Sequence, residues 1–450
     1  MIVIGMGVGG EEVAGRCAEG GMNVLAVERK LVGGECPYWG CIPSKMMIRA
    51  GNTLAEALRV TGLSGKSEIS PDWAPVAKRI REQATDTWND AVAVERHEKK
   101  GSTVLKAPAR IVGRNEVEVD GARMSARRGI VIATGSEPAV PPINGISDVE
   151  FWTNREAVET EEVPRSLIVL GAGPIGLEFG QVYHRFGSDV TFVELADHAL
   201  PMEEPENGDA IAEVLRSEGM TLHIGVSAQS VKRSDGGTAV ELSDGRVIEA
   251  ERLLVATGRR TNLSELGIDA AGLDPEARAI EVDEHMRAGD GLWAVGDVTS
   301  RGGFTHLAVY EGRVAAADIL GQENRPADYS AVPRVTFTDP EVASVGLTEA
   351  QAKEQGIEVR TGVSTTSSSS RGWIHGPGAE HGVTKVVADA DRDVLVGAST
   401  MGPAAGEVLG LFVLAIKEKI PIPALRDLIY PYPTFVRGVE DAFRILVEGR

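Results

Sequence analysis

Short apolar runs that end on glycine recur along this chain, and two of them open the same pattern. Ile2 to Ile4 is wholly apolar and is followed by Gly5-Met6-Gly7-Val8-Gly9-Gly10. A helical periodicity then runs to about Glu19, Gly20-Gly21 ends it, and Val24-Leu25-Ala26-Val27-Glu28 has the composition of a buried strand. The pattern returns as Leu167 to Leu170, Gly171-Ala172-Gly173-Pro174-Ile175-Gly176, a helix to Phe186, Gly187, and a strand from Val190 to Glu194. Apolar runs of this length, joined by helices, predict buried parallel strands in two βαβ units. The fold class is therefore α/β, with two Rossmann-like dinucleotide-binding domains.

Other segments fill in around these units. Residues 71 to 100 are expected to be helical. Residues 103 to 135 alternate as short strands and end in Ala133-Thr134-Gly135. Residues 221 to 258 alternate again, with Asp235-Gly236 and Asp244-Gly245 as hairpin turns, and end in Ala256-Thr257-Gly258. Gly291 to Asp297 is a further buried strand closing on Gly296-Asp297. From about Ala331 the character changes. Alternating strands (Arg334 to Phe337, Thr384 to Ala388) mix with amphipathic helices (Gly406 to Glu418, Gly438 to Leu446). Thr365 to Ser370 contains only Ser and Thr and is expected to be a flexible loop. The domain boundaries that follow are 1–148, 149–270, a return segment 271–330, and 331–450.

Composition narrows the function. The chain has 450 residues and a formal charge of −20, so the clustered Lys and Arg of a nucleic-acid binder are not expected. Three Cys cannot form a secreted disulfide scaffold. Apolar runs such as Leu409 to Ile416 are far shorter than the ~18 residues of a membrane span. The N-terminal run has no positive n-region, so it reads as a strand and not as a signal peptide. A cytoplasmic protein is expected.

Each glycine turn sits between a strand and a helix, and each is followed by a carboxylate at one distance: Gly5 to Glu28 and Gly171 to Glu194 are both 23 residues. Gly5 and Gly171 permit the tight turn, Gly7 and Gly173 let the backbone approach a pyrophosphate, and Gly10 and Gly176 allow close packing of helix on strand. The helix N-terminus supplies free N–H groups for the phosphates. Glu28 and Glu194 can each accept ribose hydroxyls. Two such folds imply two dinucleotides, one of them a flavin. Glu194 is followed by Leu195-Ala196-Asp197 with no Arg at once after it, which favours NAD(H) over NADP(H).

The most specific stretch is Gly33-Gly34-Glu35-Cys36-Pro37-Tyr38-Trp39-Gly40-Cys41-Ile42-Pro43-Ser44-Lys45. On a regular helix the two Cys Cα atoms would be roughly 8–9 Å apart, whereas a disulfide needs about 4.4–6.8 Å. Pro37 and Gly40 can distort the turn enough to close that gap. Pro43 suits the first turn of a following helix. Cys41 then lies at a helix N-terminus, where a thiolate is favoured, with Lys45 one turn on. A redox pair fits this arrangement. An inert structural disulfide is the alternative, and an all-thiolate zinc site would need a fourth Cys where the chain has only Cys17 besides. No metal centre is predicted.

Taken with both glycine turns, the two Ala-Thr-Gly strand ends, Gly296-Asp297 and the run Phe337-Thr338-Asp339-Pro340-Glu341 through Gly346-Leu347-Thr348-Glu349, this box resembles the class I FAD-dependent pyridine nucleotide–disulfide oxidoreductases. That family includes dihydrolipoamide dehydrogenase, glutathione reductase and mercuric reductase, and the resemblance covers essentially the whole chain. It implies FAD on the first βαβ unit and NAD(P)H on the second. It implies that Gly34, Thr134, Gly135, Gly258 and Gly296 line the cofactors and that Asp297 meets the flavin ribityl chain. It implies Lys45 near flavin N5 paired with Glu178, and a C-terminal α+β domain forming a homodimer with shared active sites. The relay so implied runs from NADH through flavin to Cys41, with Cys36 the thiol that meets the acceptor.

The sequence departs from the family at the C-terminus. Disulfide-reducing members carry His-x-His-Pro-Thr-x-x-Glu. Here the stretch is Tyr430-Pro431-Tyr432-Pro433-Thr434-Phe435-Val436-Arg437, so Tyr432 takes the position of the base and Arg437 that of its Glu. A phenol, with a reference pKa near 10, is a poor base at pH 7. A Tyr here resembles mercuric reductase, but the chain ends Val447-Glu448-Gly449-Arg450 without that family's Cys pair, and it is expected to act without an N-terminal metal-binding domain. The acceptor is a disulfide on the first reading, and a soft metal ion or a quinone-like oxidant on the second; a non-catalytic flavin-binding protein is the third. Tyr38 and Trp39 are expected to pack against the flavin-side core or to narrow access to the Cys pair. Arg371, Trp373 and His375 are expected at the surface, with His375 a candidate displaced base.

Overall fold

The computed structural model describes residues 1–323 and 325–448; the last two residues of the C-terminal run, Gly449 and Arg450, lie outside it. The backbone groups into two compact units, residues 1–46, 77–139 and 258–328, and residues 47–76, 140–257 and 329–450.

The first unit is built on a six-stranded sheet. Its order is Arg287–Gly289, Leu292–Ala294, Ile130–Ile132, Ile2–Ile4, Val24–Glu28, Ser102–Lys106, and all neighbours run parallel except the first pair. Ile2, Val3 and Ile4 are buried on both faces, as a central parallel strand requires. Helices Val8–Glu19 and Thr305–Leu320 pack together, and Gly312 permits the close approach because a Cβ there would stand 3.0 Å from the Gly9 carbonyl oxygen. The other face is filled by Ile111, Val117 and Val119 of an antiparallel three-stranded sheet, with Leu266, Ile268 and Ile280.

The second unit carries the second βαβ unit in a parallel sheet of order Thr221–Ile224, Asp189–Glu194, Ser166–Leu170, Arg252–Val255. A three-stranded meander (Ala228–Ser234, Gly237–Leu242, Val247–Ala250) turns at the two Asp-Gly pairs, where the sequence expects hairpins. A five-stranded antiparallel sheet follows, in order Pro333–Thr336, Glu341–Gly346, Val394–Gly402, Val383–Asp389, Val359–Thr365.

Two expectations are corrected, and a third, the helical character of residues 71 to 100, holds with a turn inside it. The strand through Thr384 to Ala388 is buried at every position, not at alternate ones, because it lies inside the sheet with helices Pro205–Ser217 and Phe435–Glu448 packed on it. Residues 71 to 100 are not one helix. A turn at 85–90 separates helical segments 74–84 and 91–99, and Asp86, Thr87 and Trp88 adopt positive φ there, fastened by Thr87 N–H donating to the Arg81 carbonyl. Thr365 to Ser370 is an ordered turn. Ser369 caps the helix Ser370–His375 by accepting the Gly372 N–H at 3.0 Å, and its own hydroxyl donates to the Thr366 carbonyl. Ser369, which the composition of its stretch assigns to a loop, is here the capping group.

Candidate active site

The first glycine turn is set by backbone geometry. Gly5 has φ +91°, and a Cβ on it would stand 2.4 Å from the Ala133 carbonyl oxygen. A Cβ on Gly10 would stand 2.0 Å from the Gly5 carbonyl oxygen. The second turn repeats both constraints. Gly171 has φ +98° with Ala256 oxygen at 2.5 Å from its virtual Cβ, and Gly176 faces the Gly171 oxygen at 2.2 Å. At Gly7 and Gly173 a Cβ would meet nothing within 4 Å. Each of these two residues caps its helix with extended backbone and no side-chain cap. Both positive helix ends thus have room beside their capping glycine and no side-chain cap, which fits a pyrophosphate in each unit.

The carboxylates close the turns. Glu28 accepts the Met6 N–H at 2.8 Å and the Lys30 N–H at 2.7 Å; Glu194 accepts Ala172 N–H at 2.7 Å and Ala196 N–H at 2.9 Å. Each oxygen keeps a second lone pair for a ribose hydroxyl. Gly34, at φ +67°, approaches Gly7 so closely that a Cβ would stand 2.8 Å from its Cα. Thr134 is exposed beside Gly5, and Gly135 and Gly258 adopt φ +67° and +120° with open space around them.

Gly296, at φ +80°, turns the chain after the strand Leu292–Ala294, and Asp297 follows. Its carboxylate accepts the Ser136 hydroxyl at 2.5 Å, and Arg259 donates to that hydroxyl at 2.8 Å. Ser136, Arg259, Asn262, Arg278, Asp297 and Gly303 line one cleft of the first unit. Glu311, fully buried on the helix Thr305–Leu320, accepts the Gly296 N–H at 2.6 Å and so holds the corner from behind. Arg259, Ser136 and Glu311 have no motif in the sequence; only the folded chain brings them to Asp297.

The Cys box breaks in two. A four-residue turn, Glu35–Tyr38, stops at Trp39, and a new helix, Cys41–Leu63, starts at Cys41. This break brings the two sulfurs into hydrogen-bond contact, and both are free thiols here. Thr305, the first residue of its helix, approaches Cys41 Sγ at 3.2 Å through Oγ1 and is also bonded to Cys36. The Cys36 hydrogen bond, the Thr305 hydroxyl and the charge of Lys45 outweigh burial and lower Cys41 to about 6. The same pairing and burial push Cys36 up. A pKa lowered in this way favours the thiolate at Cys41 over the thiol at Cys36. Cys17 is fully buried and pushed by burial up to about 11, as inert packing requires.

Tyr38 packs inward. Its ring is buried, its hydroxyl donates to the Val32 carbonyl at 3.2 Å, and burial pushes it up to about 12. Trp39 is half-buried beside it. Glu178, in the second unit, is buried on the helix Pro174–Arg185 and accepts the Phe337 N–H at 2.9 Å. Tyr432, in the same unit, is exposed, and its hydroxyl donates to Ser370 at 3.0 Å. Arg437 pairs with Glu440 at 2.9 Å on its own helix. Trp373 is exposed, while the His375 ring lies edge-on to Phe435 and Arg371 lies over that same ring. Burial, then Arg371, lowers the His375 pKa. Among the described residues no helix is long and apolar enough to cross a membrane.

Comparison with known proteins agrees with this geometry. The family model described as pyridine nucleotide-disulphide oxidoreductase matches residues 1–312, and its dimerisation domain matches 332–443. A mercuric reductase of Bacillus cereus is 35% identical over 98% of this chain and 70% of its own length. A dihydrolipoyl dehydrogenase of Thermus scotoductus is 36% identical over 99% of this chain and 97% of its own. Among solved structures, the HOCl-induced flavoprotein disulfide reductase RclA from Escherichia coli superposes with a TM-score of 0.86 at 25% identity, covering 99% of both chains. LpdA from Mycobacterium tuberculosis gives 0.85 at 26% identity over 98% of both. The chain belongs to the pyridine nucleotide-disulphide oxidoreductase family, and is thus an FAD-dependent enzyme that uses NAD(P)H and carries the family's dimerisation domain.

Proposed function

We propose that this enzyme takes electrons from NADH into the Cys36–Cys41 pair and passes them to a disulfide of low molecular weight or on a protein. The observation that carries this reading is the paired thiols, with Cys41 lowered to about 6 and Cys36 held protonated beside it. NADH brings two electrons and one proton. A disulfide that accepts them becomes one thiol and one thiolate, which is the charge state the two sulfurs favour here. FAD, when bound, supplies the coupling between the two-electron nicotinamide and the sulfurs.

Residues 1–148 with 271–330 are assigned to FAD, 149–270 to the nicotinamide and 331–450 to the dimer interface. Gly5, Gly7, Gly10, Glu28 and Gly34 would hold the FAD pyrophosphate and adenosine ribose, with Thr134, Gly135, Gly258, Gly296 and Asp297 along the flavin. Gly171, Gly173, Gly176 and Glu194 would hold the nicotinamide dinucleotide, with Glu178 on its reactive side. Asp197 presents a solvent-facing carboxylate three residues after Glu194 and repels a 2′-phosphate, which supports NADH over NADPH. Lys45 adds positive charge at Cys41. A thiol pair that must cycle suits the cytoplasm.

Tyr432 favours a second reading, in which the acceptor is a soft metal ion. Its hydroxyl is a weak base, engaged with Ser370, and the relative from Bacillus cereus is named for mercuric ion reduction. A turnover panel with NADH separates the two: disulfides such as lipoamide on one side, Hg(II) with excess thiol and a quinone on the other. Turnover of a disulfide at rates at least matching the metal ion supports the first reading. Metal or quinone turnover with none on any disulfide overturns it.

A further inference from the structure

We propose that Thr305 is a catalytic residue, whose hydroxyl holds the negative charge on Cys41 once the pair is reduced. This deepens the reading above and rests on it, because it concerns the reduced state of the same two sulfurs.

Thr305 is 264 residues from Cys41 in sequence, yet its Oγ1 lies 3.2 Å from Cys41 Sγ. Its hydroxyl can give its hydrogen to that sulfur, while Cys36 gives its S–H to the same sulfur. Two hydrogen bonds onto Cys41 stabilise one charge arrangement, thiol at Cys36 and thiolate at Cys41. Backbone placement reinforces it. Cys41 opens the 23-residue helix Cys41–Leu63 and Thr305 opens the 16-residue helix Thr305–Leu320, so two positive helix ends converge on one sulfur. The groups facing Cys41 are then Cys36 from the preceding turn, Lys45 from its own helix and Thr305 from the third element.

The arrangement also says how this chain manages with Tyr432 where the disulfide-reducing members it resembles carry a histidine. Hydrogen bonds that fix which sulfur is charged reduce what an external base must do in storing the electron pair. The Cys36 proton then leaves only when an acceptor engages that sulfur.

The test uses holoenzyme reduced anaerobically with one equivalent of NADH and read in two ways. The first is the pH midpoint of the long-wavelength thiolate–flavin absorbance, and the second is the number of thiols formed. Wild type is expected to show a midpoint at about 6. Thr305→Val, which keeps the shape and removes the hydroxyl, should raise it by about one unit, and Thr305→Ser should restore it. FAD content in both variants checks that the site is intact. If two thiols form and the Val midpoint equals wild type, the Thr305 role is overturned while the dithiol reading stands. If no thiols form in wild type, the dithiol reading itself fails.

Discussion

The carboxylate of Glu28 accepts the backbone N–H of Met6 at 2.8 Å, so the end of the second strand ties down the turn that leaves the first. Charge-assisted bonds of this kind are worth about 1.5–3 kcal/mol. Glu28→Ala removes this tie, the one to Lys30, and the ribose acceptor. FAD retention should fall at least about 10-fold, read as the FAD-to-protein ratio after dialysis and as a dissociation constant from flavin fluorescence. Retention equal to wild type would contradict the assignment of this turn to FAD.

The paired glycines separate the two nucleotide sites. In Gly10→Ala the new methyl would stand 2.0 Å from the Gly5 carbonyl oxygen, and in Gly176→Ala 2.2 Å from that of Gly171. Backbone atoms must move in each case, at a cost of about 1–3 kcal/mol. Gly10→Ala should purify poor in FAD. Gly176→Ala should purify yellow and bleach with dithionite, yet reduce slowly with NADH. The opposite pairing of defects would reverse the order of the sites.

Stopped-flow reduction at equal concentrations should be at least about 10-fold faster with NADH than with NADPH, because Glu194 and Asp197 both oppose a 2′-phosphate. Asp197→Arg should narrow that ratio through the NADPH rate alone. Faster reduction of wild type by NADPH would refute this use of Glu194.

Tyr432 bears on the acceptor and not on the loading of the thiols. Tyr432→Phe should leave NADH-driven thiol formation within about twofold of wild type, since its hydroxyl bonds Ser370. Tyr432→His should raise disulfide turnover and shift its pH optimum toward neutrality. A Phe variant that cannot reduce its own cysteines would tie Tyr432 to an earlier step.

What the sequence made legible was local. Gly5, Gly10 and Glu28 lie within one βαβ unit, where spacing and geometry are the same information. The Cys box was legible because Pro37 and Gly40 forbid one continuous helix across it. Thr305 was not, because its contact with Cys41 is created only when two distant helices start at one point. Glu311 was hidden for a similar reason, since a carboxylate on an apolar helix carries no mark of the backbone N–H it will meet. The strand Val383–Asp389 was misjudged because alternation reports one covered face, and here two helices bury both.

The central claim is that electrons from NADH reach Cys36 and Cys41. Its most direct test is an anaerobic titration of oxidised holoenzyme with one equivalent of NADH, followed by counting thiols in denaturant. The account predicts two new thiols per flavin in wild type, with a long-wavelength absorbance band that is lost in Cys41→Ser. Full oxidation of the NADH, with a bleached flavin and no new thiols, would contradict it.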